Sequence, residues 1–359
     1  MSSEFDSVVV GAGPNGLAAA VELARAGRRV LVAEAADHVG GGVRTAELTL
    51  PGFRHDVCSA AHPLGAASPF FRSLPLRQNG LEWLHAPAAL AHPLDDEPAA
   101  LVLRSLDETA SGLGDDADAY RQLLVSFVER WDALLGDILA PPHPPRHPLL
   151  LARFGARAIR SGGALAGRFA EARTRALIGG LCAHSTIPLE RAGAAAVGLV
   201  LAAAAHAVGW PLVRGGSLAI ADALAAHLRG LGAHIVTGRL IERLDQLPRA
   251  RDVVLDLTPR QVLRVAGERL PARYRRRLDA YRYGPGVFKL DWALSEPIPW
   301  RDAHCGLAHT VHLGGSFEQI AAAERAPWEG RLAERPFVLL TQPSLFDHSR
   351  APAGQHTAW

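Results

Sequence analysis

Three β-branched residues, Val8 to Val10, run straight into Gly11-Ala-Gly13-Pro14-Asn15-Gly16, and that junction limits the fold of the whole chain. A short apolar run closed by glycines reads as a buried strand entering a tight turn. In the G-x-G-x-x-G spacing the first glycine permits the turn and the second lets backbone approach a pyrophosphate. The third lets a helix pack on the strand. Leu17 to Ala26 continue as a helix whose N-terminal N–H groups and dipole face the phosphates. Val30 to Ala33 form a second strand, ending at Glu34. That carboxylate lies eighteen residues past Gly16, where it can accept hydrogen bonds from adenosine ribose hydroxyls and would repel a 2′-phosphate. Gly11, Gly13, Pro14, Asn15, Gly16 and Glu34 are the first candidate binding residues, and NADP is the disfavoured dinucleotide.

Beyond Glu34 stands Gly40-Gly41-Gly42-Val-Arg44. A glycine triplet permits positive φ and close backbone approach, and Arg44 can reach a pyrophosphate. With Pro51-Gly-Phe-Arg-His55-Asp56 this stretch resembles the FAD-binding entry of the phytoene desaturase and amine oxidase superfamily. The nearer resemblance is to phytoene dehydrogenase-like oxidoreductases, including the pyridine nucleotide-disulfide oxidoreductase domain 2 type. Gly215 to Leu224, Asp256 to Gln261, Tyr283 to Trp292 and Phe346 to Pro352 match as well.

The resemblance implies an α/β flavoprotein, with an FAD/NAD(P)-binding Rossmann-like domain and a mixed helix–sheet substrate domain. The FAD domain is expected to be discontinuous, over 1–75 and 213–284, and the substrate domain to fill 76–212 and 285–359. FAD is the implied cofactor. Gly41, Gly42 and Arg44 join its binding set, and Ile241 falls where the family makes a β-branched backbone contact on the adenine side. His55 and Asp56 resemble the family's cofactor-proximal turn. The implied reaction is hydride removal from an apolar, polyene or lipid-like substrate. The alternatives are a flavin amine oxidase and a non-catalytic lipid- or prenyl-binding protein of the same fold.

A formal charge of +2 gives no support to a nucleic-acid partner. Cys58, Cys182 and Cys305 are few, distant and odd in number, which fits free thiols in a reducing compartment. With no signal peptide before the first strand, the expected location is cytoplasmic. Ala192 to Val213 has the length of a membrane span, but its Ala and Gly content and Gly209-Trp-Pro211 favour a buried helix. Peripheral membrane contact stays open.

In the substrate region, Asp115 to Ala140 reads as one helix, capped by Asp115 or Asp116. Its core face is Tyr120, Leu123, Leu124, Phe127, Trp131, Leu134 and Leu135. Pro141 to Pro148 is an extended connector. Ser217 is the expected N-cap of a helix from Leu218 to Gly230, and Leu240 to Leu244 reads as a short strand. Val287 to Leu294 alternates as a strand, with Lys289 and Asp291 opposite Phe288 and Trp292.

Lys289 is the single lysine among 38 basic residues, so a group near the flavin is one reading and a pair with Asp291 the other. Cys305, His309 and His312 resemble a metal spacing, but strand geometry turns the two histidines to opposite faces, so no metal is expected. The resembled family returns to the FAD domain with a second glycine-rich strand–helix unit. The sequence after Phe337 to Thr341 shows none. The expectation is a chain lacking one flavin wall, with weak FAD retention or a partner supplying that segment.

Overall fold

A computed structural model of the chain describes residues 4–359. It divides into two compact units. One takes the chain up to Ala60, Phe70–Trp83 and Val213–Gly284, and the other takes Ala61–Pro69, Leu84–Leu212 and Pro285–Trp359. Where a single boundary is expected at residue 75, the chain passes between the units three times, after Ala60, after Pro69 and after Trp83. Ala61–Pro69 belongs to the second unit, while Leu74, Leu76 and Leu81 bury in the core of the first.

The first unit is built on a four-stranded parallel sheet in the order Asp252–Leu255, Ser7–Val10, Val30–Ala33, His234–Val236. Strands buried on both faces need apolar residues without alternation, which is what SVVV and VLVA supply. The first helix, Pro14–Arg25, starts three residues earlier than its apolar pattern suggests. Pro14 occupies the first helical position, where its missing N–H costs nothing and its fixed φ is already helical. Leu17, Ala20, Val21 and Ala24 then meet Ile220, Leu224 and Leu228 of helix Leu218–Gly230 in one core. Leu240 to Leu244 forms no strand; Ile241 instead buries against Phe5, Val10 and Leu31 on the sheet's other face.

The second unit centres on a sheet ordered Val338–Thr341, Ala308–Leu313, Ala88–His92, Ala100–Leu103, with a helical layer on one face. The predicted apolar face from Tyr120 to Leu135 is buried throughout. Its helix is broken in two, Ala117–Val128 and Trp131–Ile138. Asp116 caps neither by its side chain: its two carboxylate oxygens accept the N–H groups of Ala170 and Glu171, at 2.8 and 2.9 Å. The apolar run after Ala192 forms the 14-residue helix Ala194–Ala207, much of it buried in the core, including Ala202 to Ala205. Among the described residues no helix is long and apolar enough to cross a membrane.

Candidate functional site

Parallel strands leave their C-terminal ends along one edge, and ligands of open α/β sheets bind there. At that edge of the first unit, Val10 leads into the glycine loop, Ala33 into Glu34 and Leu255 into Asp256. Gly11 turns at φ +103° and Gly13 precedes the helix as its N-cap. Gly16 is the most confined of the three. A Cβ there would stand 2.2 Å from the carbonyl oxygen of Gly11 and 2.9 Å from Asp256 Oδ2. At Gly13 a Cβ would meet only Asp256 Oδ2 at 3.3 Å and Gly41 Cα at 3.9 Å. Helix packing on the strand thus demands Gly16 most, while Gly13 keeps a surface clear.

Two carboxylates hold this loop. Glu34 Oε2 accepts the N–H of Ala12 at 2.7 Å, and its Oε1 accepts that of Ala36 at 2.9 Å. Asp256 Oδ2 accepts the N–H of Gly16 at 2.7 Å, placing a negative charge at the helix N-terminus, where the dipole favours it. Each Glu34 oxygen retains a lone pair, and the side chain is half-buried rather than enclosed. Sequence reasoning gave Asp256 no role. The signal was its place directly after the strand that pairs with the first.

The glycine triplet folds over the same loop. Gly40 donates its N–H to Ala12 and takes φ +135°, and Gly41 takes φ +50°. A Cβ on Gly41 would lie 2.9 Å from Gly13 Cα, whereas one on Gly42 would meet nothing within 4 Å. Gly42 thus presents open backbone. Arg44 Nε donates to the carbonyl of Gly41.

Asp56 is structural. Its Oδ1 accepts from Thr45 Oγ1 and from the N–H of Ser217, both at 2.7 Å, and Thr45 Oγ1 accepts the N–H of Leu218. This pair satisfies the start of the Leu218 helix. Ser217, the expected cap, has no capping bond and donates its hydroxyl to the carbonyl of Ser59. His55 Nε2 lies 2.9 Å from Thr49 Oγ1.

Lys289 lies in the second unit, in a stretch without regular structure. The strand expected over 287–294 shrinks to Trp292–Leu294, which pairs with His356–Ala358. The alternation survives from Phe288 on, but inverted. Phe288, Leu290 and Trp292 are exposed, while Lys289 pairs with Asp291 and sits 4.7 Å over the ring of Trp359.

The second unit also brings three histidines together, His92 and His312 buried and His184 half-buried. His92 Nε2 donates to the carbonyl of Gly315, and His184 Nε2 lies 2.9 Å from His312 Nε2. Burial holds His92 and His184 down to about 4 and His312 well below its ordinary value, so all three are neutral near pH 7. Among the described residues no group of three His, Cys, Asp or Glu is placed to hold a metal. His309 is buried and close to Thr310 Oγ1. Burial pushes the Cys305 thiol up to about 11.

Residues 9–74 match the NAD(P)-binding Rossmann-like domain family. The chain is 28% identical over 136 residues to one of the subunits of limonene dehydrogenase from Castellaniella defragrans. It is 35% identical over 135 residues to pyridine nucleotide-disulfide oxidoreductase domain-containing protein 2 of Rattus norvegicus. Each match takes 37% of this chain, and 24% and 22% of those proteins, so it spans less than a quarter of either relative. An oxidoreductase structure from Methanosarcina mazei superposes with a TM-score of 0.64 at 17% identity, over 98% of this chain and 78% of that one. Wild-type putrescine oxidase bound to putrescine gives 0.58 at 20%, over 99% and 74%. The chain therefore carries a Rossmann-like nucleotide-binding domain, and along nearly its whole length it shares the fold of these oxidoreductases.

Proposed function

We propose that this chain is an FAD-dependent oxidoreductase that removes hydride from an apolar, polyene- or lipid-like substrate. One observation carries the cofactor half. A half-buried carboxylate, Glu34, stands at the end of the second parallel strand, beside a glycine loop that opens onto a helix N-terminus. That is an arrangement for adenosine ribose and pyrophosphate. Gly13 and Gly42, with no side chain of their own, fit close approach of a diphosphate.

Gly11 to Gly16, Glu34, Gly41, Gly42 and Arg44 would hold the dinucleotide, and Ile241 backs the sheet behind it. Bound flavin would itself accept the hydride, leaving the protein to bind, orient and exclude water. The relative named for limonene dehydrogenation supports an apolar substrate.

The test is to load the purified chain with FAD, measure retention, and follow anaerobic bleaching with polyene, terpene and amine panels. Retention that falls in Glu34→Ala, with bleaching by the apolar panel, supports the reading. Bleaching by amines alone would make it an amine oxidase, and lipid binding without bleaching a carrier. Lys289→Arg is expected to leave bleaching and FAD content unchanged, as its ion pair and ring contact survive the exchange.

A further inference from the structure

Helix Ala272–Asp279 of the first unit, sequence ARYRRRLD, has no buried residue; only Leu278 is half-covered. A helix of this length gains its stability from packing an apolar face, and this one packs almost none. Its charges work against it as well. Arg273 stands three and four residues from Arg276 and Arg277, and like charges at those spacings repel along a helix. Arg275 and Arg282 are exposed beside them.

Residues 260–283 contain eight Arg and two acids, a charge of +6, while the whole chain carries +2, so the remainder is −4. Residues 146–175 carry the same +6, but several arginines there are engaged: Arg157 with the carbonyls of Leu123 and Gln122, Arg160 with that of Ala156, and Arg175 with Glu318. Among the described residues, Arg273, Arg275, Arg276 and Arg277 form no ion pair.

Aromatic residues are interleaved with these arginines. Tyr274 and Leu278 stand one helical turn apart and Tyr281 follows just past the helix end, with Arg273, Arg275 and Arg277 among them. Tyr274 and Tyr281 are about half exposed. Tyr281 and Tyr283 meet edge to face at 5.2 Å between centroids, and the Arg260 guanidinium lies 4.7 Å over the ring of Tyr283. Amphipathic rings beside a row of guanidinium groups match the two layers of a bilayer interface, acyl boundary and anionic headgroup.

We infer that Ala272–Asp279, with the flanking Arg269 to Tyr283, docks the protein on an anionic lipid bilayer. The helix would lie in the plane of the headgroups. The exposed tyrosine rings favour a bilayer over an extended polyanion such as a nucleic acid, because amphipathic rings sit at the boundary between acyl chains and headgroups. The inference stands apart from the flavin reading, since it concerns binding and not turnover.

The test is co-sedimentation of the full chain with phosphatidylcholine vesicles, with and without about one-third phosphatidylserine, across a salt series. Wild type should partition to the anionic vesicles only, and release as salt rises. Each Arg near the surface contributes about fivefold, so the triple change Arg273→Gln, Arg276→Gln, Arg277→Gln should lower partitioning about a hundredfold. Its melting temperature should not fall, as none of the three side chains is buried and their mutual repulsion is relieved. A control with Arg146, Arg153 and Arg168, all exposed in the second unit, changed to Gln should bind as wild type. Tyr274→Ser with Tyr281→Ser tests the rings at unchanged charge, and should also weaken binding. Equal partition to neutral vesicles, an equal loss in the control, or tighter binding to a short DNA duplex than to the anionic vesicles would overturn the inference.

Discussion

Gly16→Ala separates the two demands placed on the glycine loop. The added methyl would stand 2.2 Å from the carbonyl oxygen of Gly11 and 3.1 Å from Asp256 Cβ. Both neighbours sit at the ends of paired strands, so neither can swing aside as a side-chain tip could. Forcing helix and strand apart costs about 1–3 kcal/mol. Stretching the bond from the Gly16 N–H to the Asp256 carboxylate adds about 1.5–3 kcal/mol. Alanine returns about 1 kcal/mol in helix propensity. The net is a loss of about 3 kcal/mol. Gly13→Ala makes the contrast: with φ −71° and only a carboxylate tip at 3.3 Å, it should lose less than about 1 kcal/mol. Urea denaturation followed by circular dichroism gives both values, and hydrogen exchange across residues 7–25 assigns the transition to this unit. FAD retention completes the comparison, since Gly13→Ala should fold normally yet hold FAD poorly. A Gly16→Ala chain that unfolds at the wild-type urea concentration would refute the close-packing argument.

Two further perturbations probe the second unit. Asp116→Ala leaves the N–H groups of Ala170 and Glu171 without their acceptor, for a loss of about 3–5 kcal/mol in urea unfolding. Asp116→Asn keeps one acceptor and should lose about half as much. Acid should destabilise the same unit early. His92 and His206 are buried with values near 4, so below pH 6.5 the unfolded chain binds protons that the folded one refuses. Stability should fall as pH drops from about 6.5 to about 4, by about 3 kcal/mol per histidine. A flat profile over that window would count against their being held neutral.

The parts legible in the sequence share a physical feature: the local pattern and the tertiary demand agree. Val8 to Val10 and Val30 to Ala33 are β-branched or apolar throughout, and their strands are buried on both faces. Tyr120 to Leu135 repeats at helical spacing and is buried at each named position. What escaped detection lacks such a signal. Ala88–His92 is a central strand of the second sheet, yet its AALAH has little β preference and is strand only because of its neighbours.

Long-range polar bonds are equally silent. Asp256 meets Gly16 across 240 positions, and Asp56 meets Ser217 across 161. No spacing rule reaches that far. The exposed Phe288, Leu290 and Trp292 show the reverse failure, since their alternation has the expected period and the apolar face outward.

Because Glu34 and Asp256 grip the glycine loop from the ends of the two strands that flank the first, the protein itself sets the loop's conformation. The entropy of ordering those residues is spent during folding, so an arriving nucleotide meets a surface already shaped for it. The same grip has a second effect. The Asp256 carboxylate occupies a backbone donor at the helix N-terminus, and a diphosphate must either settle beside that negative charge or displace it. The loop's rigidity and the negative charge that a diphosphate would meet there thus come from one pair of side chains.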